Sequence, residues 1–342
     1  MKKMIAVCAI LALAALTCAG CGEKTAKNDT EEAATMTPTQ AEQNQQILEP
    51  SATPAPTETP TAAPTATPSV TEDGMALLCP SDILKKREGA KYAKFEHGTY
   101  YSEYCGRERG YTVLLPVDYT PEKKYPVVYL LHGIFGDENS FAGNATLPVL
   151  IGNMIADGLC EEFILVCPAM FAASDDTAQQ PGFTAEQMIP YDRFAHDLTK
   201  CLMPYIEKTY SVIEGREGAN IAGFSMGGRE TLYTIITYPE TFKYACAIAP
   251  APGLVPGKDR FMTHEGSYAE DEIRFAEGKT IPEKIIICCG TKDSVVGKFP
   301  LSYHELFTKN GIAHIWYEVP NADHDDKAQY SGLYNYLPFI GR

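Results

Sequence analysis

The sequence predicts an α/β protein with a doubly wound, mostly parallel sheet and helices on both faces. From about residue 80, strand-like apolar segments alternate with helix-like segments, which is typical of βαβ units. Several strand segments are continuous apolar runs, and such runs indicate strands that are covered on both faces. The predicted strands are Tyr111–Leu115, Val127–Leu131, Phe163–Cys167, Asn220–Phe224, Tyr244–Ile248, Lys284–Cys289 and Ile315–Val319.

Five helices are predicted between and after these strands. Their ranges are Leu147–Asp157, Phe194–Thr209, Gly227–Tyr238, Leu301–Asn310 and Lys327–Phe339. Pro204 lies inside the second range and is expected to kink or divide that helix, because proline cannot donate a backbone hydrogen bond. Residues 172–190 and 252–282 lack periodicity and follow strands. We therefore expect both segments at the carboxyl edge of the sheet, as walls of a ligand cleft.

Residues 1–21 have the composition of an export signal. Lys2 and Lys3 precede an apolar run that is shorter than the roughly 20 residues needed to span a bilayer. The segment ends in Ala19-Gly20-Cys21, which resembles the lipobox of bacterial lipoproteins. This resemblance implies that Cys21 is acylated and becomes the mature N-terminus; ordinary secretion is the alternative. Both alternatives predict an extracellular protein, anchored to a bacterial cell surface or secreted.

The composition changes again after the signal. Residues 22–75 are rich in Pro and Thr and contain almost no large apolar side chains. They are predicted to form a disordered linker, because they cannot bury enough surface to offset the entropy of ordering. Residues 76–342 are predicted to be the folded domain. The formal net charge of −15 argues against nucleic acid as a partner, since phosphate binding requires clustered Lys and Arg.

The cysteines are predicted to be mostly reduced core residues. Eight of the 11 cysteines lie outside the signal, and four of them fall in apolar strand segments, at Cys167, Cys246, Cys288 and Cys289. A domain of this size has a sufficient hydrophobic core without disulfides. No Cys-x-x-Cys pair or Cys/His cluster indicates a metal site.

The motif Gly223-Phe224-Ser225-Met226-Gly227-Gly228 predicts a nucleophilic serine. It follows a strand and opens a helix, which is the setting of the nucleophile turn in α/β-hydrolases. Ser225 is thus the predicted nucleophile, on a strained turn that exposes its hydroxyl. The flanking glycines leave room where a Cβ would collide with a neighbouring strand or helix.

A serine hydroxyl needs a base, and the fold delivers its histidine after the nucleophile and the acid. His324 lies in a polar loop between the last strand and the last helix and is the predicted base. His304 falls in a helical pattern and His314 directly before a strand, so structural or exposed positions are expected for both. His264, in an irregular segment, is a weaker rival.

The acid is expected just after the strand that precedes the base. Asp293 follows the strand Lys284–Cys289 and has that position. It would hold the imidazole tautomer and stabilise the imidazolium that forms during attack. Asp323 and Asp325 are too close to His324 in sequence to lie easily behind its ring.

Two backbone amides are predicted to form the oxyanion hole. One is the amide of Met226, directly after the nucleophile. The other belongs to the loop after an early strand, at Ile134 or else at Phe135. His132 in the same loop is interpreted as a buried histidine that braces the loop.

Together these residues resemble family 1 carbohydrate esterases, above all their feruloyl esterases, and the wider esterase D group. The resemblance runs from about residue 98 to 337, and its specific parts are residues 129–139, 204–207, 222–228, 289–294 and 324–325. It implies a triad of Ser225, Asp293 and His324 and no metal or organic cofactor. Many family members carry a Trp shortly after the base, but residues 326–330 contain none.

The resemblance implies hydrolysis of a feruloyl or acetyl ester on plant cell-wall xylan or its oligosaccharides. One alternative is acyl transfer of the mycolyltransferase type, in which a sugar intercepts the acyl-enzyme. Another is a non-catalytic glycan-binding protein on a hydrolase scaffold. Tyr100, Tyr101 and Tyr104 could form a platform for sugar stacking, although packing on a strand face is the preferred interpretation.

Overall fold

The computed structural model describes residues 70–174 and 180–342. The predicted signal 1–21 with Cys21, and residues 22–69 of the predicted linker, lie outside the described residues. Residues 175–179, within one of the expected cleft walls, lie outside them as well. In the described part of the chain, no helix is both long and apolar enough to cross a membrane.

Eight strands of the described residues form one sheet. Their bounds are Phe95–Ser102 for β1, Arg107–Leu114 for β2, Val127–Leu131 for β3, Ile164–Pro168 for β4, Ala219–Phe224 for β5, Tyr244–Ile248 for β6, Lys284–Gly290 for β9 and Ile315–Val319 for β10. Across the sheet they follow the order β1-β2-β4-β3-β5-β6-β9-β10. Strands β7 (Gly257–Lys258) and β8 (Thr263–His264) form a separate small hairpin.

The pairing of the strands confirms a mostly parallel sheet. β2 pairs antiparallel with β1 and with β4, and every other neighbouring pair is parallel. The central strands β3, β4 and β6 are buried along their whole length, which explains their continuous apolar sequences. The carboxyl ends of β5, β9 and β10 therefore meet at one edge of the sheet.

Within residues 70–174 and 180–342, six α-helices cover the two faces of this sheet. They are α1 (Thr146–Ala156), α2 (Ala185–Asp197), α3 (Met203–Thr209), α4 (Met226–Thr237), α5 (Phe299–Lys309) and α6 (Asp326–Tyr336). Leu150 of α1 and Leu333 of α6 belong to the core on one face. Phe194 of α2, Ile235 of α4 and Phe307 of α5 belong to the core on the other. This arrangement confirms the predicted doubly wound α/β fold.

The helix predicted over Phe194–Thr209 is longer and divided. It begins at Ala185, where Thr184 and Gln187 form a capping box: the Gln187 amide donates to Thr184 Oγ1 at 3.4 Å and the Thr184 amide to Gln187 Oε1 at 3.2 Å. A π-helical turn over Leu198–Leu202 separates α2 from α3. Pro204 lies in the first turn of α3, where a missing amide donor is tolerated. The predicted division at Pro204 is thus confirmed, and the predicted start of the helix is wrong.

Strand β1 was not predicted from the sequence. It is an edge strand that pairs only with β2, and most of its side chains are exposed or half-buried. Such a strand has no continuous apolar run, and its charged residues are typical of protected sheet edges. Tyr100 is an exception because its side chain is buried in the core, so it cannot serve as a sugar platform.

The cysteines outside the signal are free, as predicted. Six of the eight are buried, and none of the eight forms a disulfide among the described residues. Cys246 and Cys288 lie on neighbouring strands within the core. They pack there as small apolar side chains.

Candidate active site

Ser225 sits on a sharp turn between β5 and α4. Its backbone has φ 61° and ψ −118°, a conformation that residues other than glycine rarely adopt. The turn is fixed from both sides, because the Ser225 amide donates to the carbonyl of Ile248 at 2.9 Å and the Ala251 amide donates to the carbonyl of Ser225 at 3.0 Å. The surrounding backbone thus maintains the strained position that the motif predicts.

Two glycines make this turn possible. A Cβ at Gly223 would lie 2.1 Å from the carbonyl oxygen of Gly227, and a Cβ at Gly227 would lie 2.2 Å from the carbonyl oxygen of Leu131. Backbone atoms cannot move aside as the end of a flexible side chain can. Helix α4 therefore packs against β3 and β5 with no space for larger residues.

Asp293 and His324 form a hydrogen-bonded pair at the carboxyl edge of the sheet. The distance from His324 Nδ1 to Asp293 Oδ2 is 2.8 Å, and the two side chains are 11% and 1% exposed. With a carboxylate as its partner, Nδ1 carries the proton and donates it. This tautomer leaves Nε2 of His324 as the nitrogen that can accept a proton.

The other oxygen of Asp293 fixes the orientation of the carboxylate. Asp293 Oδ1 accepts hydrogen bonds from the amides of Val295 at 3.0 Å and Val296 at 2.9 Å. The loops that carry the two residues are also joined, since the Lys292 amide donates to the carbonyl of Ala322 at 2.9 Å. The geometry of the pair is therefore set by backbone contacts on both loops.

Asp323, the neighbour of the histidine, has a different role. Its Oδ1 accepts the amides of Ser294 at 2.7 Å and of His324 at 2.8 Å, so it contacts the backbone of His324 and not the imidazole nitrogens. These two hydrogen bonds lower the pKa of the Asp323 carboxyl. Asp325 caps helix α6, where its side chain accepts the Ala328 amide at 3.1 Å.

The imidazole of His324 packs on the ring of Phe224, the residue before Ser225. The ring centroids are 4.5 Å apart, with 34° between the ring planes. This contact holds the histidine beside the nucleophile turn. The structure thus places the Asp293–His324 pair beside the turn that carries Ser225.

The loop after β3 lies directly against the nucleophile. A Cβ at Gly133 would be 3.6 Å from Cβ and 3.9 Å from Oγ of Ser225. Ile134 and Met226 line the same cavity as Ser225. The amide of Phe135, the alternative to Ile134, donates to the hydroxyl of Tyr191 at 3.4 Å. Of the two amides, that of Ile134 is therefore the better placed for an oxyanion.

His132 braces this loop from the core side. It is 1% exposed, its Nδ1 donates to the carbonyl of Gly133 at 2.7 Å, and its Nε2 accepts the Met170 amide at 3.1 Å. Burial lowers the pKa of the imidazole, so the neutral form is favoured. Both ring nitrogens are engaged with backbone, which agrees with the predicted structural role.

A cavity of about 370 Å³ opens onto Ser225. Its walls are largely apolar and include Phe135, Phe183 and Phe261. The rings of Phe183 and Phe261 are stacked at 4.6 Å with 7° between their planes, and Phe135 meets Phe183 edge-on at 5.3 Å. Both irregular segments expected as cleft walls contribute to this cavity, through Phe183 and Phe261.

These aromatic residues were not identified from the sequence. Phe183 and Phe261 stand in segments without periodicity, and nothing in their spacing marks them as neighbours. The sequence carried no strong signal for them, since single apolar side chains are common on protein surfaces and only a contiguous apolar patch indicates a binding site.

His264 also lines the cavity and is paired with an acid. Its Nε2 lies 3.2 Å from Oδ2 of Asp259, and Asp259 Oδ1 accepts the amides of Phe261 and Met262 at 2.7 Å each. The pair stabilises the turn of the β7–β8 hairpin. His304 and His314 lie elsewhere and contact each other, with 2.8 Å between Nδ1 of His304 and Nε2 of His314. Neither of these two histidines lines the Ser225 cavity.

No group of three or more His, Cys, Asp or Glu side chains is arranged to hold a metal ion in residues 70–174 and 180–342. The groups present at the edge of the sheet are a hydroxyl, an imidazole, a carboxylate and backbone amides. Such groups suit nucleophilic attack on an acyl carbon.

Comparisons with known proteins agree with this site. The "Putative esterase" family model matches residues 102–324. A CE1 ferulic acid esterase from Anaeromyces mucronatus, solved in complex with ferulic acid, is 43% identical; the match covers 78% of this chain and 97% of that chain, with a TM-score of 0.73.

Two curated proteins are also similar. An endo-1,4-beta-xylanase/feruloyl esterase from Xylanibacter ruminicola is 28% identical over 221 residues, or 63% of this chain and 27% of that protein. Endo-1,4-beta-xylanase Y from Acetivibrio thermocellus is 30% identical over 135 residues, or 36% of this chain and 11% of that protein. This chain thus corresponds to a minor part of each of these longer proteins.

The fold and the family match define a carboxylic ester hydrolase of the α/β-hydrolase class. More specifically, the chain belongs to the "Putative esterase" family and, within it, to family 1 of the carbohydrate esterases.

Proposed function

We propose that this protein is a feruloyl esterase that releases hydroxycinnamic acids from plant cell-wall xylan or its oligosaccharides. The cavity beside Ser225 carries the proposal, because it is apolar, measures about 370 Å³ and has three phenylalanines in its wall. An aromatic acyl group would fill it and meet the rings of Phe183 and Phe261. The ferulic acid esterase from Anaeromyces mucronatus, with 43% identity, supports the same substrate class.

Hydrolysis would proceed through an acyl-enzyme. Ser225 Oγ attacks the ester carbonyl while Nε2 of His324 takes the hydroxyl proton, and the negative charge that develops on the carbonyl oxygen is stabilised by the amides of Ile134 and Met226. His324 then donates the proton to the departing sugar oxygen. Water enters, loses a proton to His324 and displaces the acid from Ser225 by the same steps in reverse.

Asp293 would act through His324. A hydrogen bond from Nδ1 to its carboxylate keeps Nε2 free to accept the serine proton, and the negative charge favours the imidazolium that follows. The 2.8 Å distance and the nearly complete burial of Asp293 support this role. No cofactor takes part in these steps.

The size of the cavity favours a feruloyl over an acetyl group. An acetyl group would leave most of an apolar volume of about 370 Å³ empty or filled with water. Buried apolar surface contributes about 25 cal/mol per Å² to binding, so only a large acyl group makes use of these walls.

The protein is further proposed to act outside the cell. The signal-like residues 1–21, with acylation at Cys21, would anchor it to a bacterial surface, and residues 22–75 would tether the esterase domain of residues 76–342. Such a tether would let the enzyme reach insoluble polysaccharide, since Pro-rich chain favours an extended conformation.

A side-by-side release assay tests the substrate. The purified protein is incubated with feruloylated arabinoxylan and with acetylated xylan, and free ferulate and acetate are quantified. We expect ferulate release to dominate, and we expect Ser225→Ala to abolish release while circular dichroism and the melting temperature stay close to wild type. Dominant acetate release would overturn the feruloyl assignment, and turnover retained by Ser225→Ala would overturn the mechanism.

A further inference from the structure

One face of helix α2 borders three adjoining cavities. The cavity of Ser225 is lined by Met188. The second cavity is lined by Met188, Ile189 and Asp192, and the third by Ile189, Asp192 and His196. Residues with these spacings lie on the same side of an α-helix. The cavities thus follow one another along the helix and lead away from the nucleophile.

The middle cavity of this series is small, and its lining is partly polar and partly apolar. It measures about 140 Å³, and its walls include Arg229, Ser267 and His264. Arg229 is fully engaged there: it donates to the carbonyl of Gly253 at 3.0 Å, and it also contacts Asp192, Glu230 and Ser267. Because Arg229 is already engaged with these groups, we do not interpret this cavity as an anion site.

The third cavity, which we call the tyrosine cleft, has a different lining. It measures about 290 Å³ and is bordered by Tyr104, Tyr233 and Tyr238 together with the polar side chains of Asp192, Arg193 and His196. Since α4 rises about 1.5 Å per residue, Tyr233 lies roughly 12 Å along the helix from Ser225. The cleft is thus outside the catalytic cavity but close enough for one polymer chain to reach both.

The tyrosine rings are held in place at the surface. Tyr104 is 41% exposed, and its ring centroid lies 4.5 Å from that of His196. His196 Nδ1 is 3.1 Å from the hydroxyl of Tyr238, so the three rings form a connected set. Tyr104 projects from the β1–β2 turn, whereas His196 and Tyr238 come from α2 and from the end of α4. Three separate elements therefore build one wall.

This combination of groups suits a neutral sugar chain. Tyrosine rings offer apolar faces with a polar edge, and the neighbouring carboxylate, guanidinium and imidazole can exchange hydrogen bonds with hydroxyl groups. The cleft carries both Asp192 and Arg193, so it has no single sign of charge for a polyanion or a charged peptide. The net charge of −15 also disfavours polyanions.

We propose that the tyrosine cleft is a glycan subsite that holds unsubstituted sugar units of the polysaccharide whose ester is cleaved at Ser225. The inference rests on the proposed feruloyl esterase function for the identity of the polymer, a neutral β-linked pentosan. Binding there would position a long substrate along α2, and it would not change the rate at which small esters are hydrolysed. The subsite would therefore distinguish esters on a sugar chain from small esters that lack one.

The test measures the binding of xylohexaose, which has no ester, to variants at two tyrosines of the β1–β2 hairpin. Binding of xylohexaose to the full chain carrying Ser225→Ala is measured by titration calorimetry, with and without Tyr104→Ala. Tyr101→Ala is the matched control, because Tyr101 is 57% exposed and lies outside the cleft. We expect Tyr104→Ala to weaken binding roughly tenfold, the order expected for loss of one aromatic contact, and Tyr101→Ala to leave it unchanged.

Kinetics with the Ser225-intact enzyme give the second readout. Tyr104→Ala should lower kcat/KM on feruloylated arabinoxylan roughly tenfold, through KM, and should leave methyl ferulate hydrolysis unchanged. Tyr104→Phe keeps the ring and should retain most of the polymer activity. Equal losses on both substrates, or xylohexaose binding that is absent or insensitive to Tyr104→Ala, would overturn the subsite.

The two proposals fail in different ways. If no ferulate is released from any substrate but xylohexaose still binds in a Tyr104-dependent manner, the feruloyl assignment falls and the glycan subsite stands. If methyl ferulate is hydrolysed and xylohexaose does not bind, the subsite falls and the esterase proposal stands.

Discussion

Asp293 controls which nitrogen of His324 carries a proton, and this makes it a sensitive position. In Asp293→Asn the amide oxygen can still accept the Val295 and Val296 amides, but the amide nitrogen would face Nδ1 of His324 and favour the wrong tautomer. We expect kcat to fall by about 10⁴, the size of effect known for this change in serine proteases, with little loss of stability. Steady-state kinetics on methyl ferulate and thermal melting measure the two quantities.

Asp323→Asn is the matched control for that experiment. Asp323 is adjacent to His324 in sequence, but it bonds the amides of Ser294 and His324 rather than the imidazole nitrogens. An Asn side chain keeps an oxygen that can accept these bonds, so the loss of kcat should stay within about tenfold. A larger loss of kcat in Asp323→Asn than in Asp293→Asn would mean that Asp323, and not Asp293, is the acid that acts on His324.

Among individual residues, the positions that could be predicted from the sequence are those that follow a strand. Ser225, Asp293 and His324 each lie within five residues of the end of a recognisable strand, so their placement at one sheet edge could be predicted. The phenylalanines of the cavity beside Ser225 come from loops, and the conformation of a loop depends on contacts that cannot be read from sequence periodicity. The choice between the amides of Ile134 and Phe135 likewise required the position of the Tyr191 hydroxyl.

Helix α4 and strand β3 are packed so closely that Gly227 should not tolerate a methyl group. A Cβ there would lie 2.2 Å from the carbonyl oxygen of Leu131 and 2.7 Å from that of His132. Gly227→Ala should therefore destabilise the protein by about 1–3 kcal/mol and should displace the oxyanion amides of Met226 and Ile134, with a large loss of kcat. Urea denaturation and methyl ferulate kinetics test both effects.

Gly143→Ala is the control at the scale of elements. A Cβ at Gly143 meets no atom within 4 Å, so unfolding midpoint and kcat should both remain close to wild type. If Gly227→Ala behaved in the same way, the tight approach of α4 to β3 would not determine the position of the oxyanion amides.

The elements themselves were predictable to different degrees. The apolar runs of β3 and β6 predicted both strands with their observed bounds, because burial on both faces leaves no polar residues in the run. The first turns of α2 were missed, since Pro190 stands inside the helix and the stretch before Phe194 is polar. The capping box of Thr184 and Gln187 was the signal that marks this start.

At the scale of the whole molecule, each face of the sheet has its own hydrophobic core. The face that carries α2 and α4 also buries an ionisable side chain, that of Glu230. Glu230 is fully buried; its Oε1 contacts Arg229, and its Oε2 has no hydrogen-bond partner in the part of the chain that the structure describes. Burial raises the pKa of the Glu230 carboxyl from 4.5 to about 7, with the charge of Asp192 acting in the same direction and Arg229 against it. The burial of Glu230 could not be predicted from the sequence, because a glutamate in a helix is usually exposed.

This raised pKa predicts how the stability of the whole protein varies with pH. Between pH 4.5 and about 7 the folded protein holds a proton on Glu230 that the unfolded chain has released. The Glu230 contribution to the free energy of unfolding therefore falls as pH rises through this window. Glu230→Gln has no proton to release, so its free energy of unfolding minus that of the wild type should increase from about pH 5 to about pH 8, by on the order of 3 kcal/mol.

Urea unfolding of both proteins at several pH values measures this difference directly. Subtracting the wild-type free energy from that of Glu230→Gln removes the titration of all other groups that the two proteins share. A difference that stays constant with pH would mean that Glu230 remains ionised in the folded protein, stabilised by Arg229. A difference that is constant above pH 5 and falls as pH rises through values below 4.5 would mean that the pair with Arg229 outweighs burial.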